Sequence, residues 1–250
     1  MAQIKANEAL VKALQTWNID HLYGIPGDSV DAVVDSLRTV RDQFKFYHVR
    51  HEEVASLAAA SYTKMTGKIG VALSIGGPGI VHLLNGMYDA KMDNVPQLII
   101  AGQTNSTLLG TKFFQETNIS KMVDDVAVYH HQIQKGDNVF EITNEAIRTA
   151  YEKKGVSVII CPNDLLTQKI KDTTNRAVDT TKPKPVSPKF KSIKKASKLI
   201  DKAKKPVMLI GLGTQHAKDE LREFIEAAKI PVIHTLPAKT ILPDDHPYSI

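Results

Sequence analysis

Between Tyr47 and Gln103 the chain alternates strand-like and helix-like patterns, and its glycines and one acid fall at the junctions. FKFYHV at 44–49 alternates as a strand does, and the Ala-rich run that follows has apolar residues at helical spacing up to Gly67. Glu52 stands where that strand gives way to that helix. IGVALSI then reads as a strand covered on both faces, and Gly76-Gly77-Pro78-Gly79 opens the next helix. PQLIIAGQ reads as a further strand, ending on Gly102-Gln103. A parallel sheet brings such junctions together at the carboxyl ends of its strands, where α/β proteins bind ligands.

The same rhythm extends along the chain. Residues 7–17 read as a helix, HLYGI as a strand, and a helix capped by Asp28 or Ser29 runs to about Val40. After a longer irregular section, residues 138–155 form an amphipathic helix, and VSVIICP reads as the closing strand. The expected fold class is α/β, a doubly wound parallel sheet over residues 1–165. Residues 166–188 are polar, aperiodic and carry Pro183, Pro185 and Pro188, which reads as a linker. Residues 189–250 begin a second α/β unit: helix 190–203, strand PVMLIGLGT, helix 216–228 and strand IPVIHTLPAKT. Two strands do not finish a sheet, so the chain is expected to be an amino-terminal portion of a longer protein.

Composition narrows the function classes. With 42% hydrophobic residues among 250 and a mean hydropathy of −0.18, the chain suits a globular protein with a substantial core. No apolar run is long enough for a bilayer. Lys5, Asn7, Glu8 and Lys12 interrupt the amino terminus, so no secretory signal is read there and the cytoplasm is the expected location. The formal charge of +5 invites a nucleic-acid reading, yet residues 182–205 alone carry +9, leaving −4 on the remainder. That segment reads as a solvated lysine face, with peripheral attraction to anionic headgroups as the alternative. No interleaved aromatics favour base stacking, so no nucleic-acid partner is expected. The single cysteine, Cys161, lies in an apolar run and reads as a buried hydrophobe rather than a nucleophile.

Taken as residues alone, Glu52 has a plain role in complementing the helix dipole. Sharing an edge with the GGPG turn gives it a second one. That turn lets a ligand approach backbone closely, but it is neither a dinucleotide fingerprint nor a P-loop. A flat ring is the expected guest. Gln103 is equally a strand-end cap, Gly27 an ordinary turn glycine, and His82 a packed or exposed residue rather than a catalyst.

The motifs RHEE, GIPGDS, GGPG, HLLNGMYDA and FQE at 114–116 occur in an order that resembles the thiamine diphosphate-dependent enzymes over essentially the whole chain. The branch most similar is pyruvate oxidase; acetolactate synthases share the Glu, GPG and FQE features. The resemblance implies that residues 1–165 are a pyrimidine-binding domain and 189–250 the start of an FAD-binding domain. It makes Glu52 the acid that shares a proton with a ring nitrogen of the cofactor's aminopyrimidine, which is general acid–base catalysis routed through the cofactor. That role calls for a carboxyl partly protonated near neutral pH, as burial among Ala and Leu would favour. It places Phe114 and Gln115 beside the thiazolium, and Gly27, Gly76, Gly77, Pro78, Gly79 and Asn85 at the cofactor. Asp28 departs from the glycine of some relatives, which leaves substrate contacts at that loop open.

In the second unit the resemblance implies flavin contacts from Gly213, Thr214, Thr235, Pro237 and Lys239. It also implies that the diphosphate and its Mg2+ are held by a carboxyl-terminal domain with a Gly-Asp-Gly motif. No such motif occurs here, and KGDN at 135–138 is a decoy, so no metal residue is assigned. The implied whole is a homodimer or homotetramer that oxidatively decarboxylates pyruvate. Electrons would pass through FAD to oxygen or a membrane quinone, with acetate or acetyl phosphate as product. The fragment alone would be inactive. The alternatives are an acetolactate synthase-like enzyme and a non-catalytic binding or assembly module.

Overall fold

The computed structural model describes residues 2–183 and 186–250. The chain divides into two compact units, Met1–Lys184 and Pro185–Ile250. Pro185 of the expected linker lies outside the described residues.

The first unit runs β1 (Gln3–Lys5), α1 (Ala6–Thr16), β2 (His21–Gly24), α2 (Asp31–Thr39), β3 (Lys45–His48), α3 (Glu52–Thr66), β4 (Gly70–Ser74) and α4 (Pro78–Met92). It continues with β5 (Gln97–Gln103), α5 (Ile119–Val123), β6 (Ala127–Gln132), α6 (Val139–Lys153), β7 (Val156–Pro162), α7 (Asn163–Leu166) and β8 (Lys169–Lys171). Six strands form a parallel sheet in the order β3-β2-β4-β5-β7-β6.

Successive residues of the central strands feed opposite faces, as the pleat requires. Val71, Leu73, Leu98 and Ile100 join Leu10 and Leu14 of α1, Val33 of α2, and Phe140 and Ile147 of α6 in one core layer. Ala72, Ile99 and Ala101 join Ala55 and Ala59 of α3, Leu83 and Met87 of α4, and Ile119 of α5 in the other. β4, β5 and β7 are therefore buried on both faces. Cys161 packs inside the first layer, and burial pushes its thiol up, which suits a hydrophobe rather than a nucleophile.

β7 is the last strand of the sheet in chain order, as read from the sequence, but β6, which was not read there, pairs beyond it and forms the edge. β6 is half-buried along its length, lacks apolar alternation and carries an irregularity between Ala127 and Tyr129, so no period marks it in the sequence. The stretch expected as linker from residue 166 also begins with structure. Lys169–Lys171 pairs antiparallel with β1, and Asp172 N–H donates to Ala2 O at 3.0 Å.

The second unit holds α8 (Phe190–Lys202), β9 (Met208–Ile210), α9 (Lys218–Ala228) and β10 (Val232–His234). β9 and β10 pair in parallel over a small core of Ile210, Ile225, Val232, Ile241 and Leu242. Helix α8 buries no residue within this chain; its lysines, and also Phe190, Ile193 and Leu199, are exposed. Among the described residues no helix is long and apolar enough to cross a membrane.

Candidate functional site

The carboxyl ends of β2, β4, β5 and β7 converge on a cleft. Its wall includes Asp28 and Ser29 after β2, Gly76 after β4, Gln103 and Thr104 at the end of β5, and Asn163 after β7. Phe113, Phe114 and Gln115 complete it from the loop between β5 and α5. Its volume is about 210 Å³. The order of the strands, not their order in sequence, thus brings Gly76, Phe114 and Gln115 together.

The glycine turn is held tightly. Gly76 N–H donates to Ser29 Oγ at 3.0 Å. Gly77 has φ 61°, which costs little only without a side chain, and a Cβ there would come within 2.7 Å of Gln115 O. The FQE loop therefore rests on the turn itself. Pro78 opens α4 at a position where no N–H is needed, and Gly79 packs against Ser74 behind the turn. Gly27 is extended and presses on Ile75, so its small size serves packing at the same edge.

Two contacts shape the loop. Gln103 accepts from Thr104 N–H through Oε1 and donates to Thr117 O through Nε2, both at 2.9 Å. It ties a strand end to the loop, the capping alternative in the sequence. The Glu116 carboxylate accepts from Gly110 N–H and Phe113 N–H, and these two bonds hold its pKa low. Gln115 takes φ 61°, and the Phe114 ring is 76% exposed.

Glu52 begins α3 with only 14% of its side chain exposed, and its Oε2 lies 2.9 Å from His82 Nδ1 on α4. The His82 ring in turn stacks on His51, with centroids 4.4 Å apart. Glu53 is held by Asn85, one turn further along α4. Both acids of α3 thus have a partner on one face of α4. His82 and His51 are the residues the sequence reading missed. Positions 82 and 85 share a helix face by spacing, but only the packing of α3 on α4 turns that face toward Glu52.

The charge state expected for Glu52 is also corrected. Burial pushes its pKa up, but the bond from His82, its own backbone N–H and the two imidazoles prevail, and the carboxyl lies below its ordinary value of 4.5. The low folded-state value means that this pairing adds stability above pH 4.5 and loses it as the pH falls through the lowered value. Substituting His82→Ala removes the chief lowering contact. The titration of the Glu52 carboxyl, followed by carbon NMR, is expected to move upward; an unmoved or lower midpoint would contradict this account.

In the second unit, Gly213 and Thr214 lie in a turn after β9, and Thr235 and Pro237 in a turn after β10. Thr235 N–H donates to Ile210 O at 3.0 Å, so the two turns are neighbours. Lys239 pairs with Asp244 at 3.0 Å.

Two family models match the chain: the thiamine pyrophosphate enzyme N-terminal TPP-binding domain over residues 4–122 and the thiamine pyrophosphate enzyme central domain over residues 193–250. The chain belongs to the thiamine pyrophosphate enzyme family. Relatives in this family include YdaP of Bacillus subtilis (strain 168), named for thiamine pyrophosphate, 46% identical over 99% of this chain and 43% of its own. The pyruvate oxidase of Lactiplantibacillus plantarum is 39% identical over 98% of this chain and 41% of its own. The acetolactate synthase of Mycobacterium leprae is 33% identical over 98% and 40%. The chain thus spans about two fifths of the length of these curated thiamine pyrophosphate enzyme relatives. β6, α6 and β7 lie beyond the first matched region, yet they complete the same sheet.

Glu52 does not line the cleft; it follows β3 and the glycine turn follows β4, at the same carboxyl edge of the sheet, and these two features fit the family's cofactor. Gly76 lies on the cleft wall, and a Cβ there would come 3.0 Å from Gly102 O, so the turn packs closely on the end of β5. Asn163 donates to Asp28 O at 2.8 Å, while its buried Oδ1 on the cleft wall has no partner.

Proposed function

We propose that this chain supplies the pyrimidine-binding unit and the opening of the FAD-binding unit of a pyruvate oxidase. The observation that carries the reading is Glu52: a nearly buried carboxyl at the first turn of α3, cross-linked to α4 directly after the glycine turn. The 39% identity to a pyruvate oxidase supports the choice of branch. When bound, thiamine diphosphate supplies the electron sink for decarboxylating a 2-oxo acid. The chain's own residues do the rest. Glu52, once parted from His82 and protonated from solvent, would hold a proton at its carboxyl oxygen for a ring nitrogen of the aminopyrimidine, which is general acid–base catalysis. Gly76 and Gly77 let the turn pack on Gly102 and Gln115 and would present backbone to the ring, with Pro78 and Gly79 fixing the start of α4 behind them. Phe114 and Gln115 cover the reacting side and limit access of water. Gly213, Thr214, Thr235, Pro237 and Lys239 would hold FAD, with Lys239 leaving Asp244 for a phosphate. Mg2+ and the diphosphate would be held elsewhere in the complete protein, which we infer works as a homodimer or homotetramer.

The rival branch is acetolactate synthase, favoured by the 33% relatives. Pyruvate added anaerobically to the complete flavoprotein separates the two. An oxidase is expected to bleach its flavin within turnover time and make no acetolactate. Acetolactate formed without bleaching would assign the chain to the rival branch.

A further inference from the structure

We propose that His51, Glu52 and His82 form a binding site for a divalent transition metal of the zinc class. Each residue offers one ligand atom, and the three atoms lie within 4.8 Å of one another. Among the described residues this is the one such group of three. Two imidazoles and a carboxylate are the donor set of many three-ligand zinc centres, and imidazole nitrogen selects zinc, copper or nickel over magnesium and calcium.

The constellation comes from two helices that pack together, so it is set by the fold rather than by one flexible segment. His51 is the N-cap of α3, Glu52 its first residue, and His82 lies in the second turn of α4. Glu52 Oε2 and His82 Nδ1 already meet at 2.9 Å across a shared hydrogen. A metal ion would take the place of that hydrogen, and the neutral His82 ring would then carry its proton on Nε2. Bond lengths of about 2.0–2.1 Å put neighbouring ligands of a tetrahedral ion about 3.3 Å apart, so the trio needs only a modest closing movement. His51 can make it. Half of its side chain is exposed, and it is held by a 3.3 Å bond from Glu53 N–H and by stacking on His82. The Glu53 carboxylate lies 3.7 Å from the His51 Nδ1 that accepts this bond, beyond hydrogen-bond length, so ligation by His51 gives up only the bond from Glu53 N–H and its stack on His82. The exposed rings of His51 and His82 leave an entry path and a position for water.

Such a metal occupies the carboxyl that the proposed chemistry needs. Metal and aminopyrimidine therefore compete for Glu52, and zinc is an inhibitor of cofactor loading. This second half rests on the thiamine reading; the binding half does not.

The test uses Zn2+ itself on metal-stripped chain, titrated against a chromophoric chelator. One equivalent is expected to bind, at least tenfold more weakly in His82→Ala and in His51→Gln, and unchanged in the exposed control His216→Ala. Circular dichroism checks that each variant keeps its helices. No saturable binding, or the same affinity in both folded variants, overturns the site. The competition is read by adding 4-amino-5-hydroxymethyl-2-methylpyrimidine, which has the ring but no diphosphate to chelate zinc. Weaker zinc binding in its presence supports competition. Unchanged binding at saturating pyrimidine overturns competition and leaves the metal site standing. No pyrimidine binding to metal-free chain points instead to failure of the thiamine reading.

Discussion

Glu52→Gln in the complete protein is expected to slow exchange of the thiazolium proton by about 10²–10⁴-fold, the range a positioned general acid–base group supplies. Glutamine keeps the size of the side chain and can still meet His82, so the packing of α3 on α4 survives. What it removes is the group able to take up a proton and return it. Hydrogen–deuterium exchange at the thiazolium carbon, read by NMR after acid quench, measures the step before any substrate enters. Glu53→Gln is the matched control. Its carboxylate is bound to Asn85 rather than to His82, and its loss is expected to change exchange by less than a factor of about three, of order 0.6 kcal/mol on the barrier. Equal effects at the two positions would remove the special role of Glu52. The lowered pKa of Glu52 sharpens the expectation. In the unliganded chain the acid is ionised at neutral pH, so the cofactor ring has to displace His82 before a proton can be shared.

Gly86→Ala is expected to cost about 3 kcal/mol of stability, the upper part of the range for forcing a methyl into a packed core. For a unit of this size that lowers Tm by about 6–12 °C. The reason is the closeness of α3 and α4. A Cβ at position 86 would collide with Ser56 Oγ and come within 2.5 Å of Leu57 N, a backbone atom that cannot rotate away. Ser56 is itself fixed, since its Oγ donates to Leu83 O at 2.7 Å inside the packed pair. The helices must move apart, and the contact between Glu52 and His82 spans the same interface. Gly213→Ala is the contrast: nothing lies within 4 Å of the added carbon, and the change is expected to be near zero. Thermal unfolding followed by circular dichroism distinguishes them. A Gly86→Ala chain that melts with the parent would mean that α3 and α4 can separate freely.

How far the sequence carried the reading depends on the kind of signal. β4, β5 and β7 were legible because strands buried on both faces are written as continuous apolar runs, IGVALSI, PQLIIAGQ and VSVIICP. α3 and α4 were legible through their period and their glycine and proline boundaries. β1 and β8 were not, because three residues cannot establish an alternation, and each exists only through the other. β6 was missed because a half-buried, irregular edge strand with two histidines has no clean period. Strand order is a property of crossovers, so nothing in VSVIICP announced that another strand would lie beyond it. At the site, Glu52, Gly76 and Gly77 could be read from their place at junctions. His82 could not, because its meaning depends on a residue thirty positions away on another helix. The proton affinity of Glu52 was misjudged for the same reason: burial was visible in the neighbouring alanines, the opposing imidazole was not.

The pairing of β1 with β8 brings position 172 beside position 2, twelve residues before the first unit ends at Lys184. A few residues bridging position 172 to position 2 would close the unit into a ring at little entropic cost. New ends could then be opened at Gly136, in an uncrowded turn away from the packed layers. The fold is thus a portable cassette, suited to being rewired or transplanted without disturbing the acid and glycines at its binding edge.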